Sequence, residues 1–172
     1  GDPDRLAWAL ERFQALCLVA SPAHLSRLPR AMDFKRLAPP VQVFSSGGPL
    51  ERADALTWRN WVPKGVAEVY GSTESGGIAW RIQTEAPESS LWTPFPDVSL
   101  AFLEDGALRV DSFRAGPEPL RMEDQAQALD DGRFRLLGRL DRIVKLQEKR
   151  ISLPALEQAL ENHPWVLRAA VI

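Results

Sequence analysis

The sequence predicts an α/β fold in which a parallel-sheet lobe is followed by an antiparallel β region and then by a smaller α+β unit. Up to about residue 88, short apolar runs alternate with amphipathic helical patterns, as in proteins built on a parallel sheet. From about residue 89, apolar and polar residues alternate around Asp-Gly turns, which is typical of antiparallel hairpins. After Gly138 the pattern changes again, to a strand, a helix and a strand.

The first lobe consists of three predicted helix–strand pairs. Asp2 or Asp4 is placed to cap the first helix, and Pro22 suits the first turn of the second. Glycine-rich turns follow the second and third strands, so we expect both turns to face one pocket beyond the carboxyl ends of the strands. The predicted helices are Arg5–Leu16, Ala23–Arg30 and Glu51–Trp61, and the predicted strands are Leu16–Ala20, Val41–Phe44 and Val66–Tyr70.

The second region is predicted to contain two β-hairpins. Asp105-Gly106 is the turn of the first hairpin, and Asp130-Asp131-Gly132 is the turn of the second. The strands around these turns are Val98–Phe102, Leu108–Val110 and Phe134–Leu137. The last unit is predicted to consist of the strand Ile143–Leu146, the helix Pro154–Asn162 and the strand Val166–Ile172.

Composition and charge exclude several classes of function. A net charge of −2 over 172 residues indicates no basic surface for nucleic acid, and no apolar run is long enough to span a bilayer. Cys17 is the single cysteine, so no disulfide framework is expected, and its apolar surroundings predict a buried side chain. We expect a cytoplasmic location. Because the chain closes on an apolar, strand-like run, we also expect it to be a segment of a longer protein.

The stretch VYGSTESGGIAW, residues 69–80, is the first candidate site. Backbone amides of glycine-rich turns bind phosphate oxygens, and the Thr73 hydroxyl adds a donor. Glu74 repels phosphate but can hold a magnesium ion that bridges phosphates. A nucleophile elbow around Ser75 is excluded because residue 73 is Thr, and no Walker-type phosphate loop occurs in the chain. An ordinary strand-to-helix turn with Ser, Thr and Glu as caps remains an alternative.

A second landmark lies at Gly132–Val166, where the sequence reads GRFRLLGRLDRIVKLQEKRISLPALEQALENHPWV. Together with SSGGPL at Ser45–Leu50 and VYGSTE at Val69–Glu74, this stretch resembles the adenylate-forming superfamily. Its members include acyl- and aryl-CoA synthetases, adenylation domains of nonribosomal peptide synthetases, and luciferases. The resemblance runs from near Leu16 to the end of the chain, and its motifs are specific in combination.

The resemblance implies an AMP-dependent ligase that activates a carboxylic acid with ATP and passes the acyl group to a thiol. The implied cofactors are ATP or AMP, Mg²⁺, and CoA or phosphopantetheine; the implied partners are a small carboxylic acid and an acyl carrier protein. The catalytic pair would be Thr73 at the α-phosphate and Glu74 as magnesium ligand. The nucleotide-binding residues would be Ser46, Gly47, Gly48, Tyr70, Gly71, Ser72, Asp124 and Arg139.

Further roles follow from the same resemblance. Tyr70 matches the aromatic residue that stacks on adenine, Asp124 the ribose ligand, and Arg139 an arginine near the ribose and phosphate. Asp141 matches the hinge about which a small C-terminal domain rotates. The acyl pocket would be lined by Gly76, Gly77, Ile78 and Trp80, and Lys145, Arg150 and Glu157 follow the family's pattern after the hinge.

The resemblance also implies a domain division. Residues 1–138 would be the C-terminal part of the large domain, with an α/β lobe at about 1–88 and a β-rich part at about 89–138. Residues 139–172 would be the hinge and the beginning of the small domain. The family's phosphate loop is then expected upstream of residue 1, and its catalytic lysine downstream of Ile172.

Two departures from the family pattern qualify these expectations. Arg121-Met122-Glu123-Asp124 stands where the family usually has Arg-Thr-Gly-Asp, and Glu148 occupies a glycine position beside the acceptor arm. The bulk and charge of Glu148 predict that the acceptor is not free CoA handled in the usual way: either a carrier-protein arm accepts the acyl group, or the second half-reaction is lost. The residues after Glu74 offer no carboxylate for an ammonium group, which favours an apolar acyl or aryl acid. An inactive nucleotide-binding relative, or a fragment without activity of its own, are the alternatives.

Overall fold

The computed structural model describes residues 2–13, 16–146 and 149–171. In the first third of the chain, helices alternate with strands as predicted. Each of these elements lies within a few residues of its predicted bounds. They are α1 (Pro3–Arg12), β1 (Cys17–Ala20), α2 (Pro22–Ala31), β2 (Gln42–Ser45), α3 (Arg52–Arg59) and β3 (Val66–Ser72).

Local chemistry sets the ends of the first two helices. The Asp2 carboxylate accepts a hydrogen bond from the Asp4 amide at 3.0 Å, and Pro3 occupies the first turn of α1. The same helix ends four residues earlier than predicted, because Phe13 takes an extended conformation after donating its amide to Ala9. Pro22 occupies the first turn of α2, as its fixed backbone angle favours.

The described residues form a first sheet of five strands in the order β1-β2-β3-β4-β5, where β4 is Gly76–Ile82 and β5 is Thr93–Pro94. The first three strands are parallel, and β4 and β5 are antiparallel to their neighbours. The parallel part confirms the predicted α/β lobe. Strand β4 was not expected, because its glycines at positions 76 and 77 have the composition of a turn.

A second sheet, antiparallel throughout, has the order β6-β7-β8-β9 within the described residues. Both predicted hairpin turns are confirmed. Gly106 has φ +86°, and the Asp105 carboxylate accepts the Ala107 amide at 3.0 Å. Gly132 has φ +82°, and the Asp131 carboxylate accepts the Arg133 amide at 3.0 Å. Strand β6 is Ser99–Phe102, β7 is Ala107–Asp111, β8 is Leu120–Ala128 and β9 is Phe134–Arg139.

The last part of the chain holds a short 3₁₀ helix (Leu140–Arg142), the hairpin of β10 (Ile143–Leu146) and β11 (Lys149–Ser152), and α4 (Leu153–Glu161). The predicted strand Val166–Ile172 is wrong for its described residues, 166–171, which are irregular. Two of its amides bond to side chains of α4 instead of to a neighbouring strand. Ala169 donates to Glu161 at 2.9 Å, and Val171 donates to Glu157 at 2.8 Å.

The apolar interior of the described chain consists of two clusters. The first lies between α2, α3 and the parallel strands, and the second lies between β4 and the antiparallel sheet. Strand β4 therefore belongs to the first sheet by hydrogen bonding and to the second cluster by packing. The fully or nearly buried members include Leu25, Val43, Trp58 and Val66 in the first cluster, and Ile78, Ala79, Leu108 and Phe134 in the second.

The predicted burial of Cys17 is wrong. Cys17 is exposed rather than buried, because it lies on β1 at the edge of the first sheet, where strand alternation directs Leu18 inward instead. No helix among the described residues is both long and apolar enough to cross a membrane.

Candidate functional site

The two glycine-rich turns follow neighbouring parallel strands. Ser45 at the end of β2 pairs with Glu68 of β3, and both strands run in the same direction. Ser46–Gly48 therefore leaves the sheet at the same edge at which β3 ends in Gly71–Ser72. Both turns therefore lie at the carboxyl-terminal ends of the parallel strands, as the alternation of strands and helices predicts.

The turn after β3 is a β-hairpin and not the start of a helix, which removes the alternative of a strand-to-helix turn. Strands β3 and β4 pair from Ala67–Ile82 up to Ser72–Gly76. This pairing leaves Thr73, Glu74 and Ser75 at the tip. Thr73 and Glu74 are exposed, whereas Ser75 is fully buried.

Two serines hold the tip in shape. The Ser72 amide donates to the Ser75 hydroxyl at 2.8 Å, and the Ser75 amide donates to the Ser72 hydroxyl at 3.1 Å. The Ser75 hydroxyl also donates to the Gly76 carbonyl at 2.9 Å. Because these bonds satisfy the polar groups at the base of the turn, the side chains of Thr73 and Glu74 project into solvent.

Two glycines of this turn are required because neighbouring atoms approach their backbone closely. A Cβ on Gly71 would lie 1.9 Å from the Gly76 carbonyl oxygen, so no other residue fits there. Gly76 has φ +63°, and a Cβ there would press on the aliphatic part of the Arg114 side chain at 3.2 Å. Arg114 is itself held by an ion pair with Asp97 at 2.7 Å.

Glu74 is ionised at neutral pH. Hydrogen bonding from its own main-chain amide, and then from the Ser72 hydroxyl, lowers the pKa of its carboxyl group below the usual value. An exposed, ionised carboxylate beside a threonine hydroxyl can bind a hydrated divalent cation that other ligands share. Among the described residues, no cluster of three or more acidic, histidine or cysteine side chains forms a metal cage by itself.

The turn after β2 is open on the side away from the protein. The Ser46 amide donates to the Ala20 carbonyl of β1 at 3.3 Å. Gly47 has φ +92°, and a Cβ there would meet no described atom within 4 Å. Gly48 lies 3.8 Å, measured from an ideal Cβ, from the Pro22 ring. A planar or phosphate-bearing ligand could approach the backbone here without a steric barrier.

Tyr70, Asp124 and Arg139 are brought together where the two sheets meet. Asp124 of β8 and Arg139 of β9 are paired across their strands. Burial first, and then the Asp124 carboxylate, raise the pKa of the Tyr70 hydroxyl far above its ordinary value, while Arg139 acts in the opposite direction. The Tyr70 ring packs against Trp92 and Phe134, with centroids 5.4 and 6.2 Å away.

The hydroxyl of Tyr70 is buried and makes no well-directed hydrogen bond among the described residues, although Asp124 is near enough to influence it. Three of the eight predicted nucleotide-binding residues therefore share one corner of the molecule. This corner follows directly on the Ser72–Gly76 hairpin.

Similarity to known proteins identifies the family. No protein-family model matches the chain. A 4-coumarate–CoA ligase from Cereibacter sphaeroides is 34% identical over 143 residues, which cover 81% of this chain and 31% of that enzyme. The fold superimposes on the amide bond synthetase McbA from Marinactinospora thermotolerans with a TM-score of 0.82 at 21% identity, over 100% of this chain and 42% of that one.

The chain belongs to the adenylate-forming superfamily. It spans about a third of the length of the coumarate ligase, 31%. A further structure with the same fold is ATP-bound MatB from Rhodopseudomonas palustris, with a TM-score of 0.74 at 18% identity, over 100% of this chain and 40% of that one.

The departure from the family's Arg-Thr-Gly-Asp pattern has a packing reason in this adenylate-forming chain. Met122 is buried in the second cluster, where it fills space between the strands. Arg121 and Glu123 point outward and form an ion pair at 3.2 Å, and Arg121 also pairs with Asp105. Strand alternation then places Asp124 on the same face as Met122, toward Tyr70.

Two acyl-pocket expectations meet different surroundings. Ile78 is fully buried in the second cluster, so packing alone accounts for it. Trp80 is 38% exposed on β4, and Gly77 faces Val69 and Phe95, which a Cβ would meet at 2.9 and 3.5 Å.

The backbone of Lys145 pairs with that of Arg150 across the β10–β11 hairpin. Glu157 accepts Arg142 at 2.6 Å and the Val171 amide at 2.8 Å, and these two donors, in that order, lower the pKa of its carboxyl group. Its place in the family pattern thus coincides with an anchoring role for the last residues. Glu148 lies outside the described residues.

A buried polar network behind the two turns was missed by sequence reasoning. Glu68 is only 2% exposed and accepts hydrogen bonds from Arg81 of β4, from Gln83, which directly follows β4, and from the Leu50 amide. A signal for it was present, since Glu68 and Arg81 each interrupt an otherwise apolar strand. A charged residue in each of two adjacent apolar strands indicates a buried pair.

Proposed function

We propose that the complete protein is an AMP-forming acid–thiol ligase. The observation that supports it best is the convergence of two glycine-rich turns at one sheet edge, with Thr73 and Glu74 exposed and the Tyr70–Asp124–Arg139 corner beside them. The 34% identity to a 4-coumarate–CoA ligase points to the same activity.

The reaction has two steps. A carboxylate oxygen of the acid bonds to the α-phosphorus of ATP, the bond from that phosphorus to the pyrophosphate oxygen breaks, and pyrophosphate leaves. A thiolate then bonds to the acyl carbon, and AMP leaves with the electron pair of the broken bond. The protein's contribution is positioning and charge stabilisation, because the pentavalent phosphorus needs no covalent help from a side chain.

Each predicted nucleotide-binding residue has a proposed part. The backbone of Ser46, Gly47 and Gly48 lies along the adenine, with Gly71 and Ser72 beside the phosphates. Tyr70 stacks on the adenine, Asp124 accepts from the ribose hydroxyls, and Arg139 lies near the ribose and phosphate. A carboxylate suits the ribose because it can accept from both hydroxyls.

Thr73 donates its hydroxyl to an α-phosphate oxygen, and Glu74 holds Mg²⁺. One exposed carboxylate at this turn fits the ion, which usually takes one or two carboxylates, waters and phosphate oxygens rather than a full protein cage. Mg²⁺ held by Glu74 would supply positive charge beside the phosphates.

The acid is proposed to be an apolar acyl or aryl acid, since the residues after Glu74 provide no carboxylate for an ammonium group. The thiol is CoA or the phosphopantetheine arm of an acyl carrier protein. Glu148 in the family's glycine position favours the carrier protein, and a Glu148→Gly exchange that left thiol kinetics unchanged would contradict this preference.

The domain division is part of the proposal. Residues 1–138 belong to the large domain, residues 139–172 contain the hinge and the beginning of the small domain, and Asp141 is the hinge residue. We also propose a cytoplasmic location, in keeping with the single cysteine.

Acid-dependent exchange of pyrophosphate into ATP, measured on the complete protein with a panel of acids, tests the activity. Glu74→Ala should reduce exchange by at least about tenfold, because it removes the proposed metal ligand. Glu104→Ala, which removes another exposed carboxylate in the turn between β6 and β7, is the matched control and should leave exchange unchanged. ATP binding without any exchange would favour the second candidate, a nucleotide-binding relative that no longer catalyses.

A further inference from the structure

The turn that follows β2 is fixed by hydrogen bonds at its two ends, Ser46 and Leu50. Its first residue, Ser46, is fixed by the bond of its amide to Ala20. Gly47 touches nothing within 4 Å of an ideal Cβ. The other end is Leu50, which is 3% exposed and whose backbone is bound on both sides. The conformation of the turn therefore depends on what holds Leu50.

Both backbone groups of Leu50 bond to buried side chains. Its amide donates to the Glu68 carboxylate at 3.2 Å, and its carbonyl accepts the Gln83 side chain at 2.7 Å. The same Gln83 nitrogen donates to Glu68 at 2.8 Å. The end of the turn is thus bonded to a side chain of β3 and to the residue that directly follows β4, the two strands of the Thr73–Glu74 hairpin.

Glu68 is the centre of this arrangement. Among the described residues, four N–H groups donate to its carboxylate: Arg81 Nε at 2.8 Å, Arg81 Nη2 at 3.0 Å, Gln83 Nε2 at 2.8 Å and the Leu50 amide at 3.2 Å. A carboxylate that is 2% exposed is stable only when it is paired in this way. The bidentate arginine contact also fixes the direction of the carboxylate.

Arg81 connects this hydrogen-bonded network to Tyr70 through the ring of Trp92. Its guanidinium lies 4.3 Å from the centre of the Trp92 ring, and its Nη1 donates to the Ser90 carbonyl at 3.3 Å. Trp92 in turn packs on Tyr70 at 5.4 Å. A continuous set of polar and ring contacts therefore runs from the end of the glycine turn to the tyrosine.

We infer that Glu68, Arg81 and Gln83 are positioning residues that hold the Ser46–Gly48 turn and Tyr70 in the spacing that the nucleotide requires. The inference rests on the proposed function. None of the three touches the ligand: Glu68 and Gln83 are buried and Arg81 lies between them and Trp92. They act on the nucleotide through Leu50 and Tyr70.

The test uses the complete protein with Glu68→Gln, Arg81→Gln and the double variant, with Val62→Ala as a control that removes core volume without touching the network. Each single variant should weaken MgATP binding by about tenfold, which corresponds to the loss of a charge-assisted hydrogen bond. The double variant should be little worse than a single one, because the residues act as a pair. The KM for the acid should not change.

Gln83→Met is the milder variant, to be used in case the charge variants do not fold. It removes the anchor of the Leu50 carbonyl but leaves the Glu68–Arg81 pair, and we expect a smaller loss of MgATP affinity, about threefold. If these variants lowered the melting temperature as Val62→Ala does and left MgATP affinity unchanged, the network would be only structural and the inference would be overturned.

Hydrogen exchange of residues 46–50, measured without nucleotide, separates the two proposals. Exchange should become faster in Glu68→Gln and Gln83→Met but not in Val62→Ala. If the unsubstituted protein bound no MgATP, the proposed function would fail, whereas the exchange experiment would still show whether the network holds the turn. Equal exchange in all variants would overturn the positioning inference alone.

Discussion

Gly71 is the residue on which the Thr73–Glu74 turn depends most directly. A Cβ at this position would lie 1.9 Å from the Gly76 carbonyl oxygen and 2.8 Å from its carbon, and both belong to backbone that cannot rotate away. We expect Gly71→Ala to lower the free energy of unfolding by about 2 kcal/mol or more, as overpacking does, and to weaken nucleotide binding. Denaturant unfolding and ATP titration measure the two effects.

Gly116→Ala is the control for this prediction. Gly116 also has a positive φ, +105°, but a Cβ there meets nothing within 4 Å. The substitution should therefore cost only the backbone strain, about 1 to 2 kcal/mol, without any change in nucleotide affinity. An equal loss of affinity in both variants would show that the close approach at Gly71 is not the cause.

Tyr70 allows a pH test, because it is the single tyrosine among the 172 residues. Burial, and then the Asp124 carboxylate, raise its pKa, so the folded state favours the neutral phenol. The stability from this preference is fully present below the unfolded pKa of about 10 and is lost as the pH rises above it. We expect no phenolate absorbance from Tyr70 near pH 10 in the folded protein, measured against Tyr70→Phe.

Asp124→Asn should bring the ionisation of Tyr70 to lower pH, because it removes the second cause of the raised pKa. The midpoint should still lie above 10, since burial is the larger cause. A midpoint near 10 in the unsubstituted protein would mean that Tyr70 does not pack into the second sheet.

At the scale of elements, hydrophobic periodicity was enough to predict a helix or a strand wherever its apolar pattern is strong and turn residues mark its ends. The parallel strands and both Asp-Gly hairpins were predicted for this reason. Strand β4 was not, because its two glycines indicate a turn until their pairing with Gly71 and Ser72 is known. The apolar run from Val166 was taken for a strand, but a strand needs a neighbour, which a local pattern does not reveal.

The candidate site was also predictable only in part. The motif-bearing residues Thr73, Glu74 and Tyr70 could be named from the sequence. The buried support from Ser75 and Glu68 was not named. Charged residues in two apolar strands were a signal for Glu68, but the partners of both residues depend on which groups face each other across β3 and β4. Sequence motifs mark the groups that meet a ligand, whereas the groups that position them become visible only in the fold.

The segment after α4 allows a test of whether a side-chain carboxylate anchors neighbouring backbone. Glu157 accepts Arg142 and the Val171 amide, and its pKa is lowered in consequence, so these contacts persist at neutral pH and are lost as the pH falls through that lowered pKa. We expect Glu157→Gln to speed hydrogen exchange at Val171 severalfold. Glu161→Gln, which frees the Ala169 amide instead, is the matched control. Unchanged exchange at Val171 would contradict the anchoring role.

On the scale of the whole molecule, the β3–β4 hairpin is the element that joins two interiors. Its strands are bonded to the parallel sheet, while Ile78 and Ala79 pack into the second cluster with Phe134. Tyr70 lies on the same hairpin and packs against that second cluster as well. The position of Tyr70, which we propose stacks on the adenine, should therefore depend on the second cluster more than on the first.

Matched substitutions in the two clusters test this dependence. Phe134 and Trp58 are both fully buried, and replacing either by Ala should lower the free energy of unfolding by about 3 to 5 kcal/mol. Only Phe134→Ala removes a ring that contacts Tyr70, whereas Trp58, on α3, packs with Phe34 and Trp61. At a temperature where both variants remain folded, we expect weaker MgATP binding in Phe134→Ala alone. Equal weakening in Trp58→Ala would mean that the two clusters support the nucleotide site as one unit.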